Sequence, residues 1–413
     1  MHPAPASPTH RPSIGFGEFV TLLATIMALN ALAIDTALPA TTAMAQAFNL
    51  SSANQAQWVV SAFMIGYSIG QLLYGPLSDR FGRRPVILSC LAAYALFSLV
   101  GGFAPTFEFL IALRFLQGLA TAGARVVAVA IVRDGFSGAQ MSRVMSLTQI
   151  VFMIVPLLAP SVGQLILHLG SWRSIFHFLT VFALALLAWT MLRLQETLPR
   201  GQRRALSARA LLQAMRAVIG NRTACCYTLA NAALLGGLFG FINSIQQIYS
   251  DIFHAPLRFP LMFALVAGTM AVMALFNSHL VERVGMRRIS HSATLVLVLI
   301  AGVHAFIAWR GWETEASFLL LQSALMGCIA LCMGNFNAIA MEPLGALAGS
   351  AASLQGFVTT MGAALLGVCI GQRYDRSTLP LAVGFFGCGL AALALVLVAE
   401  RARLFGIPPA DTA

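Results

Sequence analysis

Twelve times along this chain an apolar run of about 20 residues recurs, long enough to cross the roughly 30 Å hydrocarbon core of a bilayer as a helix. The runs fall near 18–40, 56–76, 86–104, 107–132, 142–168, 173–194, 223–248, 259–281, 289–309, 316–341, 350–372 and 379–400. A soluble core could not hide them all. Of 413 residues, 59% are hydrophobic and 9% are charged, against about 25% charged in soluble domains, and the mean hydropathy is +0.82. In lipid the backbone must satisfy its own hydrogen bonds, so each run reads as a helix and the chain as an all-α membrane protein. A cleavable leader is not expected. Although Ala43-Met44-Ala45 resembles a cleavage site, the run from Phe19 to Ala40 exceeds a signal core of about 7 to 15 residues, and Asp35 and Pro39 interrupt it.

The positive charge is all arginine, and most of it lies between the runs. With both termini in the cytoplasm, the inner segments hold Arg11, Arg80, Arg83, Arg84, Arg133, Arg143, Arg193, Arg200, Arg203, Arg204, Arg209, Arg216, Arg222, Arg283, Arg287, Arg288, Arg401 and Arg403. The outer loops then hold only Arg173, Arg258, Arg310, Arg373 and Arg376. Retention of positive charge on the inner side therefore predicts cytoplasmic termini, and it explains the basic balance without a nucleic-acid partner. Residues 195–222 form the longest polar segment and separate six spans from six. The expected organisation is a tail at 1–17, a six-helix half at 18–194, a cytoplasmic linker at 195–222, a second half at 223–400 and a tail at 401–413. A weak repeat agrees with two halves: Asp79-Arg80-Phe81-Gly82-Arg83-Arg84 recurs as Glu282-Arg283-Val284-Gly285-Met286-Arg287. Repeated halves are how many secondary transporters build a mid-membrane substrate site.

The most informative segment is Gly75-Pro76-Leu77-Ser78-Asp79-Arg80-Phe81-Gly82-Arg83-Arg84-Pro85. Its glycines permit a tight turn, Asp79 can face a helix N-terminus, and the arginines can pair with carboxylates or snorkel to phospholipid. A merely positive loop is the alternative. The segment resembles the signature loop between spans 2 and 3 of the major facilitator superfamily. Ala33-Ile34-Asp35-Thr36-Ala37-Leu38-Pro39, Arg114-Phe115-Leu116-Gln117-Gly118, Arg133-Asp134 and Gly170-Ser171-Trp172-Arg173-Ser174-Ile175-Phe176 resemble its twelve-span drug:proton antiporters, most of all the Bcr/CflA-type multidrug efflux branch. The likeness covers 17–400 and includes Glu342 to Ala352. It implies the major facilitator fold, in two six-helix halves, and proton-driven export from a bacterial inner membrane, leaving the cargo open. A cytoplasmic latch is expected from Gly75, Asp79, Arg80, Gly82, Arg83, Arg84, Arg133 and Asp134. The fifth span departs from the antiporter pattern at Ala159-Pro160-Ser161-Val162-Gly163-Gln164, where only Pro160 and Gly163 carry over. Pro156 and Pro160 should still bend that helix.

Asp35 is the one acid read as lying well inside a span. A charge there costs roughly 2.5 to 3.5 kcal/mol on insertion scales, which makes function the default reading. A carboxyl removed from water gains its neutral form more readily, as a reversible proton carrier requires; permanent pairing with an arginine is the alternative. Arg114 is the expected partner. It lies about 10 Å inside the fourth span at 1.5 Å per residue, the depth of Asp35 in the first. A structural arginine bonding backbone carbonyls remains open beside that. Arg125 is a candidate cavity residue weighed against snorkelling, and Gln117, Gln149, Asn231, Asn243, Gln246, Asn335, Asn337 and Gln355 are candidate cavity residues each weighed against ordinary interhelical packing.

His177, His279 and His304 are near or inside spans, but no set of ligands has metal spacing, so no metal is expected. The seven cysteines are odd in number and read as packed thiols. A phosphate-binding loop of the ATPase type needs a lysine that the chain lacks, so ATP-driven pumping by it is excluded. The expectation is a monomeric, non-enzymatic secondary transporter of small amphiphilic cargo, working among membrane lipids with no cofactor and the proton gradient as its energy source. A transporter of one metabolite (sugar, nucleoside or siderophore) and a transport-like membrane sensor are the alternatives.

Overall fold

The computed structural model describes residues 14–136, 138–203 and 208–405. The expected tail up to residue 13 with Arg11, Arg204 of the linker, and the tail beyond 405 lie outside them. No strand occurs among the described residues. The helices are α1 (Phe16–Asp35), α2 (Thr41–Ala47), α3 (Trp58–Phe81), α4 (Arg83–Gly102), α5 (Phe107–Gly135), α6 (Gly138–Leu169), α7 (Trp172–Arg193), α8 (Ala208–Gly220), α9 (Arg222–Gln247), α10 (Phe259–Val284), α11 (Met286–Trp309), α12 (Glu315–Met341), α13 (Ala348–Gly371) and α14 (Leu379–Ala399).

Twelve helical segments of the described chain are long and apolar enough to cross a membrane, and each coincides with one of the runs read from the sequence. The largest difference is in the first, which continues past Ala40 to Ala47. Pro39 has no N–H to give to a helix. Accordingly α1 stops at Asp35, a 3-10 turn over Leu38–Ala40 carries the proline, and α2 resumes the path. Helix starts are marked by side chains that satisfy otherwise orphaned N–H groups. Thr106 accepts from Phe109 N, Asn221 from Ala224 N, and Thr314 exchanges bonds with Ser317. Large apolar side chains such as Leu261, Leu265, Val272, Leu275 and Phe276 on α10 are exposed, a surface suited to lipid.

The chain divides into two compact units, unit 1 (Met1–Phe48 and Ala62–Ala208) and unit 2 (Asn49–Ser61 and Arg209–Ala413). Asn49–Ser61, with the first turn of α3, goes with unit 2, and the segment expected as a linker at 195–222 is divided between the units after Ala208. Helix pairing inside unit 1 sets α1 on α6 and α5, and α4 on α5 and α7. Unit 2 repeats the scheme: α9 packs on α13 and α12, and α11 on α12 and α14. The weak loop repeat is thus the visible trace of a repeated packing plan.

Candidate functional site

In unit 1 the break in the first span places a carboxylate where helix geometry lapses. Asp35 is the last residue of α1 and is buried. Thr36 closes the turn through Oγ1 to Leu32 O at 2.6 Å, and Ala37 N bonds Ile34 O at 3.1 Å. Helix α6 crosses at this point. A Cβ on Gly163 would overlap the Thr36 carbonyl, so only glycine allows the two backbones to approach so closely. Pro156 and Pro160 lie inside α6 on the approach to this crossing.

Arg114 is fully buried on α5. Its Nη2 donates to Ala33 O at 3.0 Å and its Nη1 to Gln117 Oε1 at 3.0 Å. Gln117 Nε2 passes the chain of bonds to Ser98 Oγ at 2.9 Å, and Ser98 bonds Tyr94 O at 2.8 Å. The Phe63 ring lies 4.6 Å from the guanidinium, a cation–π arrangement. Arg114 therefore grips the α1 backbone two residues before Asp35 and ties it to α4 through α5. Among the described residues, the ion pairs of unit 1 leave Asp35 out. The structure thus brings Arg114 and Gln117 beside Asp35's helix, through a backbone carbonyl instead of a carboxylate. Arg125, deeper in α5, donates to the Tyr67 hydroxyl on α3 at 2.9 Å. Gln149 is exposed.

The Asp79 loop gathers around one arginine. Gly82 turns the chain at φ 101°, a conformation that suits glycine, and caps α4. Arg83 then pairs with Asp79 at 2.6 Å and Asp134 at 2.9 Å, and its Nη1 donates to Ser78 Oγ at 2.7 Å. Its backbone N–H donates to Glu196 Oε1 at 2.9 Å, and Thr197 Oγ1 donates to Asp134 at 3.2 Å. The neighbouring arginines point elsewhere. Arg80 lies over the Phe81 ring, Arg84 Nη2 donates to Met191 O at 2.8 Å, and Arg133 is exposed. Gly75 O accepts from Ser78 Oγ at 3.0 Å, which steadies the turn from within.

Unit 2 carries a counterpart. Arg287, at the start of α11, bonds Glu342 at 3.0 Å and Glu400 at 3.0 Å. The three lie near the places that Arg83, Asp134 and Glu196 occupy in unit 1: the first turn of the helix after the loop, where Arg287 falls one residue beyond the repeat position of Arg83, the end of the next span, and the segment just past the last span. Tyr227 extends this network, donating to Glu400 at 2.7 Å and lying 2.8 Å from His291 Nε2. No ion pair joins Glu282 to Arg287 among the described residues, so the Asp79 contact has no copy here.

Of the remaining polar candidates in unit 2, Asn335 donates to Asn277 at 2.9 Å and to Leu331 O at 2.8 Å. Gln355 donates to Ala340 O at 3.2 Å, and Asn243 to Ser61 at 3.4 Å. Asn231 and Gln246 are buried on α9, whereas Asn337 is exposed. Sequence reasoning missed a tighter polar cluster. Gln57 donates to Gln247 at 2.6 Å and to Gly371 O at 3.1 Å; Gln247 donates to Asn54 at 3.1 Å; Gln372 donates to Asn54 O at 2.7 Å. Tyr374 donates to Gln247 O at 3.2 Å. Burial, with Asp251 beside it, holds the Tyr374 phenol above the ordinary tyrosine range, so it stays a donor. Four amides within a few residues of helix ends were the available signal. His304 meets Glu313 at 2.6 Å, while the His177 ring lies tilted against Phe103 with centroids 5.2 Å apart. Among the described residues no group of three or more His, Cys, Asp or Glu could hold a metal ion.

Comparison with known proteins agrees with this architecture. The sequence model of the Major Facilitator Superfamily matches residues 23–367. A bicyclomycin resistance protein homolog from Haemophilus influenzae is 28% identical, covering 90% of this chain and 93% of its own. A chloramphenicol resistance protein from Pseudomonas aeruginosa is 32% identical over 86% of this chain and 82% of its own. Among solved structures, a D-xylose-proton symporter superposes with a TM-score of 0.72 at 14% identity, covering 94% of this chain and 99% of that one. At that identity the likeness is one of fold.

Proposed function

The chain belongs to the Major Facilitator Superfamily, and from that premise we propose that it exports small amphiphilic compounds of the drug class across a bacterial inner membrane in exchange for protons. The observation that carries the reading is Asp35: a buried carboxyl at a break in the first span, outside the ion pairs of its unit among the described residues. The resistance proteins among the relatives direct the cargo toward drugs.

In this mechanism access to the cargo alternates between the two membrane faces, and each protonation state of Asp35 favours one access state. Protonated, the carboxyl is neutral and can remain in an apolar setting; ionised, it favours the state in which water or cargo reaches it. Arg114 is a positioning residue, since it fixes the Ala33 carbonyl and with it the end of α1. The Arg83 cluster acts as a latch on the face where the arginine-rich segments lie, which the positive-inside bias makes cytoplasmic together with both termini. The chain acts as a monomer without a bound cofactor, drawing on the proton gradient.

Purified protein in proteoliposomes, with chloramphenicol as probe and an imposed pH gradient, tests the proposal. Accumulation that collapses when the gradient is discharged supports it. Chloramphenicol movement equal to that of protein-free vesicles, for this probe and for bicyclomycin, contradicts the cargo class.

A further inference from the structure

At the end of unit 1 that carries the Asp79 loop, the chain leaving α7 passes the start of α4 and borders an open cavity of about 400 Å3. Its wall sets three guanidinium groups, of Arg84, Arg200 and Arg203, around one carboxylate, that of Glu196, with Pro85 and Pro199 between them. Glu196 is already committed. Its Oε1 accepts from the backbone N–H groups of Arg83 at 2.9 Å and Leu198 at 3.0 Å, and its Oε2 lies 3.8 Å from Arg203 Nη2. One carboxylate against three arginines leaves the cavity with excess positive charge, next to a helix N-terminus whose potential has the same sign.

Two donors in this wall lack acceptors. The Nε–H groups of both Arg84 and Arg203 are buried without a hydrogen-bond partner. Buried polar groups are satisfied in the great majority of cases, so two such guanidinium donors on one cavity mark a place for acceptor oxygens. The Nη2 of Arg84 donates to Met191 O at 2.8 Å, which orients its guanidinium at the wall.

The geometry points to an anion-binding site in this cavity, holding a phosphate group through Arg84, Arg200 and Arg203. A phosphate presents several acceptor oxygens to planar guanidinium forks, which is the pairing these donors favour. The cavity lies at the start of the span α4 and just past the end of the span α7, and the ends of membrane-spanning segments are where lipid headgroups are met. The headgroup of an anionic phospholipid and a free phosphate share this chemistry. The site is independent of what the protein exports.

Native mass spectrometry of the full chain in detergent tests it, with short-chain phosphatidylglycerol, phosphatidylcholine of the same chains, and inorganic phosphate as probes. Phosphatidylglycerol should bind about tenfold more tightly than phosphatidylcholine, and the double variant Arg200→Gln, Arg203→Gln should lose about tenfold of that affinity with an unchanged melting midpoint. Glu196→Gln keeps an acceptor oxygen for the start of α4 and removes the opposing charge. It should strengthen binding by about threefold or more, a gain that misfolding cannot mimic. Selective phosphatidylglycerol binding assigns the lipid headgroup as the source; phosphate binding with the same variant pattern, but no preference between lipids, assigns the free anion. Anion binding that ignores both variants, or equal binding of both lipids with none of phosphate, overturns the site.

Discussion

At the scale of single residues, Arg114 is a fully buried charge in unit 1, and its hydrogen bonds offset the cost of removing it from water. Arg114→Ala leaves the Ala33 carbonyl and the Gln117 amide without their donor, at about 1 to 3 kcal/mol for each buried group. We expect a lower melting temperature in detergent and weak transport even when membrane insertion is normal; wild-type values of both would show that the grip on α1 is dispensable. The sequence singled out Asp35 and Arg114 because charge in an apolar run is conspicuous. It could not say that Arg114 would choose a carbonyl over the Asp35 carboxylate, because matched depth leaves the facing of two helices undetermined. Gly163 was noted only as a survivor of a pattern, although its missing Cβ is what admits the Thr36 backbone.

Among elements, the two arginine-centred clusters show how the repeat is used. Arg83→Gln removes the group that bridges Asp79 and Asp134, leaving two carboxylates facing each other. Since Asp79 is 44% exposed, solvent screens part of the loss, and a destabilisation of about 2 kcal/mol is expected. Adding Asp134→Asn should recover about half of it, a coupling that a thermal double-mutant cycle measures; strict additivity would deny the bridge. The loop itself was legible, down to its recurrence as Glu282–Arg287. Asp79 and Asp134 stand with Arg83 in the expected latch, but the acids that complete the two clusters were not legible. Glu196 fell in what reads as a linker, and Glu342 and Glu400 read as ordinary charges at span ends, because such pairings join positions far apart in sequence. The amide cluster of Asn54, Gln57, Gln247 and Gln372 escaped notice for the same reason.

For the whole molecule, twelve spans and two repeated sets of six follow from hydropathy and composition almost unaided, since lipid permits few alternatives to helices. Residues Asn49–Ser61 depart from the expected halves because packing, and not chain order, decides where the start of α3 goes. Orientation rests on the arginine bias: a protease site inserted beside Arg204 should be cut only from the cytoplasmic side of inverted vesicles, and cleavage from outside intact cells would reverse the topology. The central claim is that Asp35 couples protons to export. Asp35→Asn keeps a hydrogen-bonding side chain that cannot titrate, so the decisive measurement is chloramphenicol transport in vesicles carrying equal amounts of wild-type or variant protein. Gradient-driven accumulation should fall by about tenfold or more while downhill exchange persists; undiminished accumulation by Asp35→Asn would contradict a proton-carrying Asp35.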